Sequence, residues 1–276
     1  MRREPTARQL RLATELRRLR EAAGLTARQA AALLGVSPAQ ITHIESGLAG
    51  VSEKRLRRLA SHYACTNEEF IDALVSMATD RTQGWWEEYR GSLPTSFLDL
   101  SELDHHATFR REVAVLFVPG LLQTENYARA VFSSRVPELT SEELELRVQH
   151  RMARQVFAFP YTVVIHEAAL RIRVSDRAAS QAQLARLTEL SEAEHITLRV
   201  VPFDLDGFSR ASSTMTYVDG PVPKLDTVVR DAPHGSVFID SEAQLNAYRT
   251  RFHKVEGVAL DPERSRDFIH QLTKEL

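Results

Sequence analysis

Two sets of side chains in this sequence have types that could do chemistry. The first is a scatter of histidines and acids: His105-His106, His166-Glu167, His195, His234 and Asp240. Such groups can hold a metal or move protons, but their spacing demands neither. His166-Glu167 lacks the second histidine of a zinc helix, and no GxSxG elbow, Gly-rich phosphate loop or GxGxxG turn occurs. A single cysteine, Cys65, rules out an internal disulfide and a multi-cysteine metal site. The expectation is a chain that is not an enzyme, with no catalytic residue, no metal and no cofactor. The second set is Ala39, Gln40, Thr42 and His43, interleaved with Ile41 and Ile44 so that the isoleucines face inward and the others are left for solvent or a partner. It sits in a basic stretch. Residues 1–66 hold 12 of the 35 Lys+Arg but only 5 of the 37 Asp+Glu, so the front is basic and the remainder acidic. That asymmetry points to an anionic partner for the front.

The elements that position this second set are legible from periodicity and caps. Leu12, Leu16, Leu19 and Ala23 mark one face of a helix from about Thr6 to Ala23, stopped by Gly24. Thr26 is placed to cap a helix from Ala27 to Leu34. Gly35-Val36 turns the chain, Ser37 caps a third helix with Pro38 at its first position, and Gly47 ends it. Two amphipathic helices follow, Ser52 to Tyr63 and Asn67 to Met77, with Leu56, Leu59, Tyr63, Phe70, Ile71 and Leu74 inward.

The run GLTARQAAALLGVSPAQITHIESG closely resembles the Xre, or lambda-repressor-like, helix-turn-helix family. Leu25-Thr26 stands where that family opens helix 2, Gly35-Val36-Ser37 at its turn, and Ile41, Ile44, Glu45 and Gly47 at the close of its recognition helix. The resemblance implies a five-helix module whose third helix enters the major groove of double-stranded DNA. It places base-reading positions on Pro38, Ala39 and His43, with Ser37 and Gln40 near backbone and sugar. Phosphate contacts are expected from Arg28 and from Lys54, Arg55 and Arg58 around helix 4. Two positions depart from the family's habit: Ala27 replaces a frequent glutamine, and Pro38 replaces a frequent polar reader. Readout therefore falls to His43, helped by Gln40 and Thr42, while Ala39 can meet a thymine methyl.

Behind this module the pattern changes. Gly84-Trp85-Trp86 to Phe97 reads as a connector, Ser101 to Phe109 as a helix, and Val113 to Val118 as a buried strand ended by Pro119-Gly120. Leu121 to Phe132 is amphipathic, and Thr140 with Glu143 opens a helix to about Phe157. Tyr161 to Ile165, Ile196 to Val201, Ser213 to Val218, Thr227 to Arg230 and Val237 to Ile239 have the β-branched density of strands. Helices are expected at Ala178 to Glu194, from Ser241 to about Val255, and from Asp261-Pro262 onward. The fold class is thus multi-domain: an all-α five-helix helix-turn-helix followed by a mixed α/β domain. The expected bounds are 1–78 for the DNA-binding domain, 79–96 for a connector and 97–276 for a regulatory or partner-binding domain.

The stretches VPGLLQTENYARAVF, RMARQ (Arg151 to Gln155), HEAALR, QLARL and TLRVVPF resemble an uncharacterised C-terminal domain that follows Xre modules in many actinobacterial regulators. The chain departs from that pattern at Asp104, at Val174-Ser175-Asp176 and at Arg230-Asp231. Pro119 to Thr124 either makes a strand end, a turn and a helix start, or brings Gln123, Thr124, Glu125 and Tyr127 to line a ligand or partner pocket. Relatives are often encoded beside a small partner protein, and some resemble antitoxins. The expectations are a sequence-specific, dimeric transcriptional regulator with a sensing C-terminal domain, or an antitoxin that neutralises a small partner and represses its own operon. A DNA-anchored enzyme is the third. No apolar run approaches the roughly 18 residues that span a bilayer, and the basic start is not followed by an apolar segment, so a cytoplasmic protein without membrane partners is expected.

Overall fold

The computed structural model describes residues 4–205, 213–232 and 235–276, and divides into two units, Met1–Glu87 and Glu88–Leu276. In the first unit the helices are α1 (Ala7–Ala22), α2 (Ala27–Leu34), α3 (Pro38–Ile44), α4 (Glu53–His62) and α5 (Glu68–Thr79). Their starts follow the expected capping chemistry. Thr6 with Gln9 and Thr26 with Gln29 form capping boxes, while Ser37 and Asn67 each accept from the amide three residues on. Gly35 ends α2 in the left-handed region at φ 70°, which a residue with a Cβ rarely adopts. Leu12, Leu16, Ile41, Ile44, Leu56, Leu59, Tyr63, Phe70, Ile71 and Leu74 are buried as expected. The inward face of α1 differs at its end: Leu19 is half-buried, Ala23 is exposed, and Arg20 takes the inward place.

In the second unit the element order is α6 (Thr95–His105), β1 (Phe109–Ala114), α7 (Glu125–Ser133), α8 (Ser141–Ala153), β2 (Tyr161–His166), α9 (Glu167–Arg171), α10 (Arg177–Leu190), β3 (Ile196–Val201), β4 (Met215–Asp219), β5 (Thr227–Ala232), β6 (Gly235–Ile239), α11 (Glu242–Glu256) and α12 (Pro262–Glu275). Among the described residues six strands form one sheet in the order β3-β2-β1-β4-β5-β6. β1, β2 and β3 run parallel, and β4, β5 and β6 join antiparallel. Tyr161, Val163, Ile165, Leu198 and Val200 pack on one face with Leu121, Leu122, Leu184, Leu187 and Ile269. Val113, Val164, Val201 and Met215 pack on the other with Phe252 and Val255 of α11. The two periods of the sequence are thus resolved into a mixed α/β layer.

Three expectations shift. The helix expected over Ser101 to Phe109 begins at Thr95, directly after Pro94, and Phe109 already belongs to β1. That strand was expected over Val113 to Val118, but it runs through Phe109–Ala114, and Leu116 and Phe117 are exposed by 53% and 49%. Its charged stretch Arg110-Arg111-Glu112 hides the strand in the sequence; in the fold Arg110 bonds Asp104 and Glu112, and Arg111 bonds Asp219. α8 stops at Ala153 with Arg154 as its cap, short of Phe157, whose ring instead stacks on Phe159.

Candidate nucleic-acid interface and the charged interior

α3 is held from behind. Ile41 and Ile44 are 0% and 3% exposed and anchor one side of the helix. Its C-cap, Glu45, receives two parallel bonds from Arg20 of α1, Nε to Oε1 at 2.7 Å and Nη2 to Oε2 at 2.8 Å. The third nitrogen, Nη1, donates to the Leu25 carbonyl at 2.6 Å. One guanidinium therefore ties α1, the start of the α2 segment and the end of α3, in the planar two-pronged geometry that Lys does not provide. The pairing raises the Arg20 pKa, and burial pushes the neighbouring Tyr63 up to about 12.

The outer side of α3 is open. Ser37, Pro38, Ala39, Thr42 and His43 are exposed and Gln40 is half-buried. The Ser37 hydroxyl accepts from the Gln40 amide at 3.3 Å, and the Thr42 hydroxyl donates to the Pro38 carbonyl at 3.2 Å. Those two hydroxyls are thus partly spent on the helix itself, which leaves His43 and Gln40 as the side chains best able to offer donors outward. Arg28 and Lys54 are exposed and Arg55 is half-buried. Arg55 lines an open groove of about 650 Å³ with Gly50, Ser52 and Arg81. Arg58 leans back, donating from Nη2 to the Leu33 carbonyl at the end of α2 at 3.3 Å. Ser52 is the N-cap of α4 but makes no side-chain cap bond, so the first-turn amides of α4 are left for another acceptor.

In the second unit the four residues considered as a pocket lining have their polar groups engaged within the chain. Gln123 is buried and donates to the Val118 carbonyl at 2.7 Å, and its side-chain oxygen accepts from Arg151 at 2.5 Å. Thr124 caps α7, and its amide donates to Gln183 at 2.8 Å. The Tyr127 hydroxyl accepts from the Val118 amide at 3.1 Å, and Glu125 pairs with Arg129 on the surface. These bonds hold the turn in place. Behind it lies a buried charge network. Asp104 receives Arg110 and, at 2.6 Å, Arg154; Glu112 receives Arg110 at 2.9 Å and the Tyr161 hydroxyl at 2.8 Å. His150, buried beside Arg154 and Arg151, bonds Ser101 at 3.1 Å, and burial first and those cations second push its pKa down to about 3.

Among the described residues the singled-out histidines are not gathered into one site. His166 accepts the Ala168 amide as the cap of α9, His195 lies edge-on to Phe157, and His105 touches His106. Among the described residues no group of three or more His, Cys, Asp or Glu could hold a metal ion, and His234 lies outside those residues.

A model of a helix-turn-helix domain matches residues 11–72, and a model of a domain of unknown function, DUF5753, matches residues 97–271. The chain belongs to the DUF5753 family. No curated protein and no solved structure matches it. The helix-turn-helix match marks the chain as a DNA-binding regulator, and the match for DUF5753 spans the whole sheet. No helix among the described residues is long and apolar enough to cross a membrane. What sequence reasoning missed is the Arg20–Glu45 clamp and the charged interior of the DUF5753 domain. Arg147, Arg151 and Arg154 recur at helical period along one side of α8, a pattern that in sequence is the same as that of an exposed basic stripe.

Proposed function

We propose that the chain is a sequence-specific transcriptional regulator of the Xre type, acting as a homodimer on double-stranded DNA, with α3 as its recognition helix. The carrying observation is the two-sided construction of α3: isoleucines and the Arg20–Glu45 clamp fix one side, and an exposed side offers Ala39, Gln40 and His43. A helix locked in this way can present base-reading groups without first paying to order them. Arg28, Lys54, Arg55 and Arg58, with the uncapped first turn of α4, are assigned to phosphates, where they set position rather than sequence. One such module buries too little surface for tight specific binding, so two copies on half-sites about one helical turn apart are assigned. The DUF5753 domain is read as the receiver of a small-molecule or protein signal, in a cytoplasmic protein that is not an enzyme.

A second reading, neutralisation of a small partner protein as an antitoxin, draws on exposed apolar side chains. Leu116 and Phe117 follow β1, and Phe203, 59% exposed, follows β3, both beyond the carboxyl ends of the parallel strands. Light scattering on the full chain with and without selected DNA tests the first reading. It is expected to show two chains per duplex; one chain saturating a single half-site would contradict it. Co-purification with the product of an adjacent small open reading frame, and rescue of that product's toxicity, would move the assignment to the second.

A further inference from the structure

α8 turns an unusual face inward. Arg147, His150, Arg151 and Arg154 recur at i, i+3, i+4 and i+7, one side of a helix. Arg147 and Arg154 are each only 7% exposed. The buried carboxylates in reach are Asp104 and Glu112, and they are taken by Arg110 and Arg154. Arg151 is left with the neutral oxygen of Gln123 as its hydrogen-bond acceptor. Among the described residues, Nε and Nη1 of Arg147 and Nη2 of Arg154 are buried with no hydrogen-bond partner at all. A folded protein rarely leaves charged donors in that state, because each has lost its water and gained nothing. Burial first and the cation Arg154 second pull the Arg151 pKa down to about 10, against the opposing pull of Asp231 and Glu112.

The neighbourhood is built to seat these guanidiniums. Arg151 lies over the Phe132 ring at 4.6 Å and Arg147 over the Phe97 ring at 5.1 Å, and the two rings are 6.3 Å apart. Gly120 makes room: a Cβ there would stand 2.9 Å from Arg151 Nη1. Gln155 donates to the carbonyls of Gly120 at 3.0 Å and Gln123 at 2.7 Å, fixing the turn against the end of α8. Two sequence stretches, Pro119 to Thr124 and Arg151 to Gln155, thus meet around one arginine. Rings that hold guanidinium planes while their edges keep unused donors give the geometry that recognises a planar or tetrahedral anion.

We propose that the inward face of α8 is a binding site for a small anion carrying a carboxylate or phosphoryl group, held by Arg147, Arg151 and Nη2 of Arg154. This deepens the reading of the DUF5753 domain as a signal receiver and takes its regulatory meaning from that reading; the binding itself does not depend on DNA. Thermal unfolding of the full chain tests it, with inorganic phosphate, succinate and sodium chloride compared at matched ionic strength. A saturable rise in Tm of roughly 5–10 °C beyond chloride, at about a hundred times the anion's Kd, is expected from phosphate or from succinate. Phosphate alone assigns a phosphoryl ligand, and succinate alone a carboxylate. In the Arg147→Met, Arg151→Met double variant the response disappears, and the Tm without anion equals or exceeds that of the unmodified chain, since two inward-facing cations that make no hydrogen bond to a carboxylate have gone. Gly120→Ala, which keeps every arginine but crowds Arg151, weakens the anion by about ten-fold. The proposal is overturned if neither anion exceeds chloride, if the double variant keeps the response, or if that variant melts well below the unmodified chain without anion, as it would were these arginines purely structural. DNA binding measured in the same samples separates the two readings. Intact DNA binding with no anion response removes this site alone, and absent DNA binding removes the regulator.

Discussion

Charge is buried in both units of this chain, but under different accounting. In the helix-turn-helix unit each buried charge is closed locally: Glu15 takes Arg11 and Arg18, and Arg20 takes Glu45. The basic side chains Arg28 and Lys54 stand outside, where a polyanion can reach them. In the DUF5753 domain positive charge is gathered inside around α8, where three buried arginines, Arg110, Arg147 and Arg154, meet two buried carboxylates, Asp104 and Glu112. A surface of cations suits a long, rigid partner such as duplex DNA. An interior of cations can be satisfied only by something small enough to enter. The contrast sets the proposed outer reading function against the proposed inner receiving one within a single chain.

The largest effect is expected where one carboxylate serves two cations. Asp104→Ala should cost about 4 kcal/mol or more of unfolding free energy, because it strands both Arg110 and Arg154 in the interior. Denaturant titration of the full chain reads this, and a loss under about 1 kcal/mol would mean that water or rearrangement already serves those arginines. Glu45→Ala comes next, at about 3 kcal/mol, since it leaves Arg20 buried without its two-pronged partner. Melting of the first unit should fall while the melting of the DUF5753 domain stays, and a uniform loss in both would break the separation drawn here.

His150 gives a smaller and graded test. Its pKa in the folded chain lies at about 3, below its ordinary value of 6.5. The unfolded chain therefore binds a proton that the folded chain refuses, and stability falls as pH drops below about 6.5. The groups around it are Arg151, Arg154 and Asp104, with Ser101 as hydrogen-bond partner. Between pH 6.5 and 5 this one residue should remove about 2 kcal/mol. Comparing the pH dependence of the unmodified chain with that of His150→Gln isolates the effect, and identical slopes would show that His150 accepts its proton in place.

The reading elements were legible because each is announced locally. Thr26, Gly35, Ser37 and Gly47 bracket α2 and α3 by capping and turn chemistry alone, and Ile41 with Ile44 marks the inward side. The strands Tyr161–His166 and Ile196–Val201 were equally plain from β-branched runs. β1 was misplaced because Arg110, Arg111 and Glu112 look like a solvated segment until Asp104 and Asp219 arrive to pair with them. Those partners lie in α6 and β4, far along the chain or on another element, so no local pattern could announce the pairing. The inward face of α8 was hidden for the same reason: arginines at helical period normally mean an exposed stripe, and only the fold shows them buried. Gln123 and Tyr127 were singled out for a pocket, yet the fold uses them to frame the turn beside Arg151.

The central claim is that α3 reads base sequence, with His43 as its principal hydrogen-bonding reader. Selection from a random duplex pool with the full chain, followed by titration of the winning site and of a scrambled duplex at one fixed salt concentration, tests it directly. The account predicts an enriched site, and predicts that His43→Ala weakens that site by about 1–3 kcal/mol while leaving the scrambled duplex nearly unchanged. An equal loss on both duplexes, or a pool that emerges without enrichment, would contradict it.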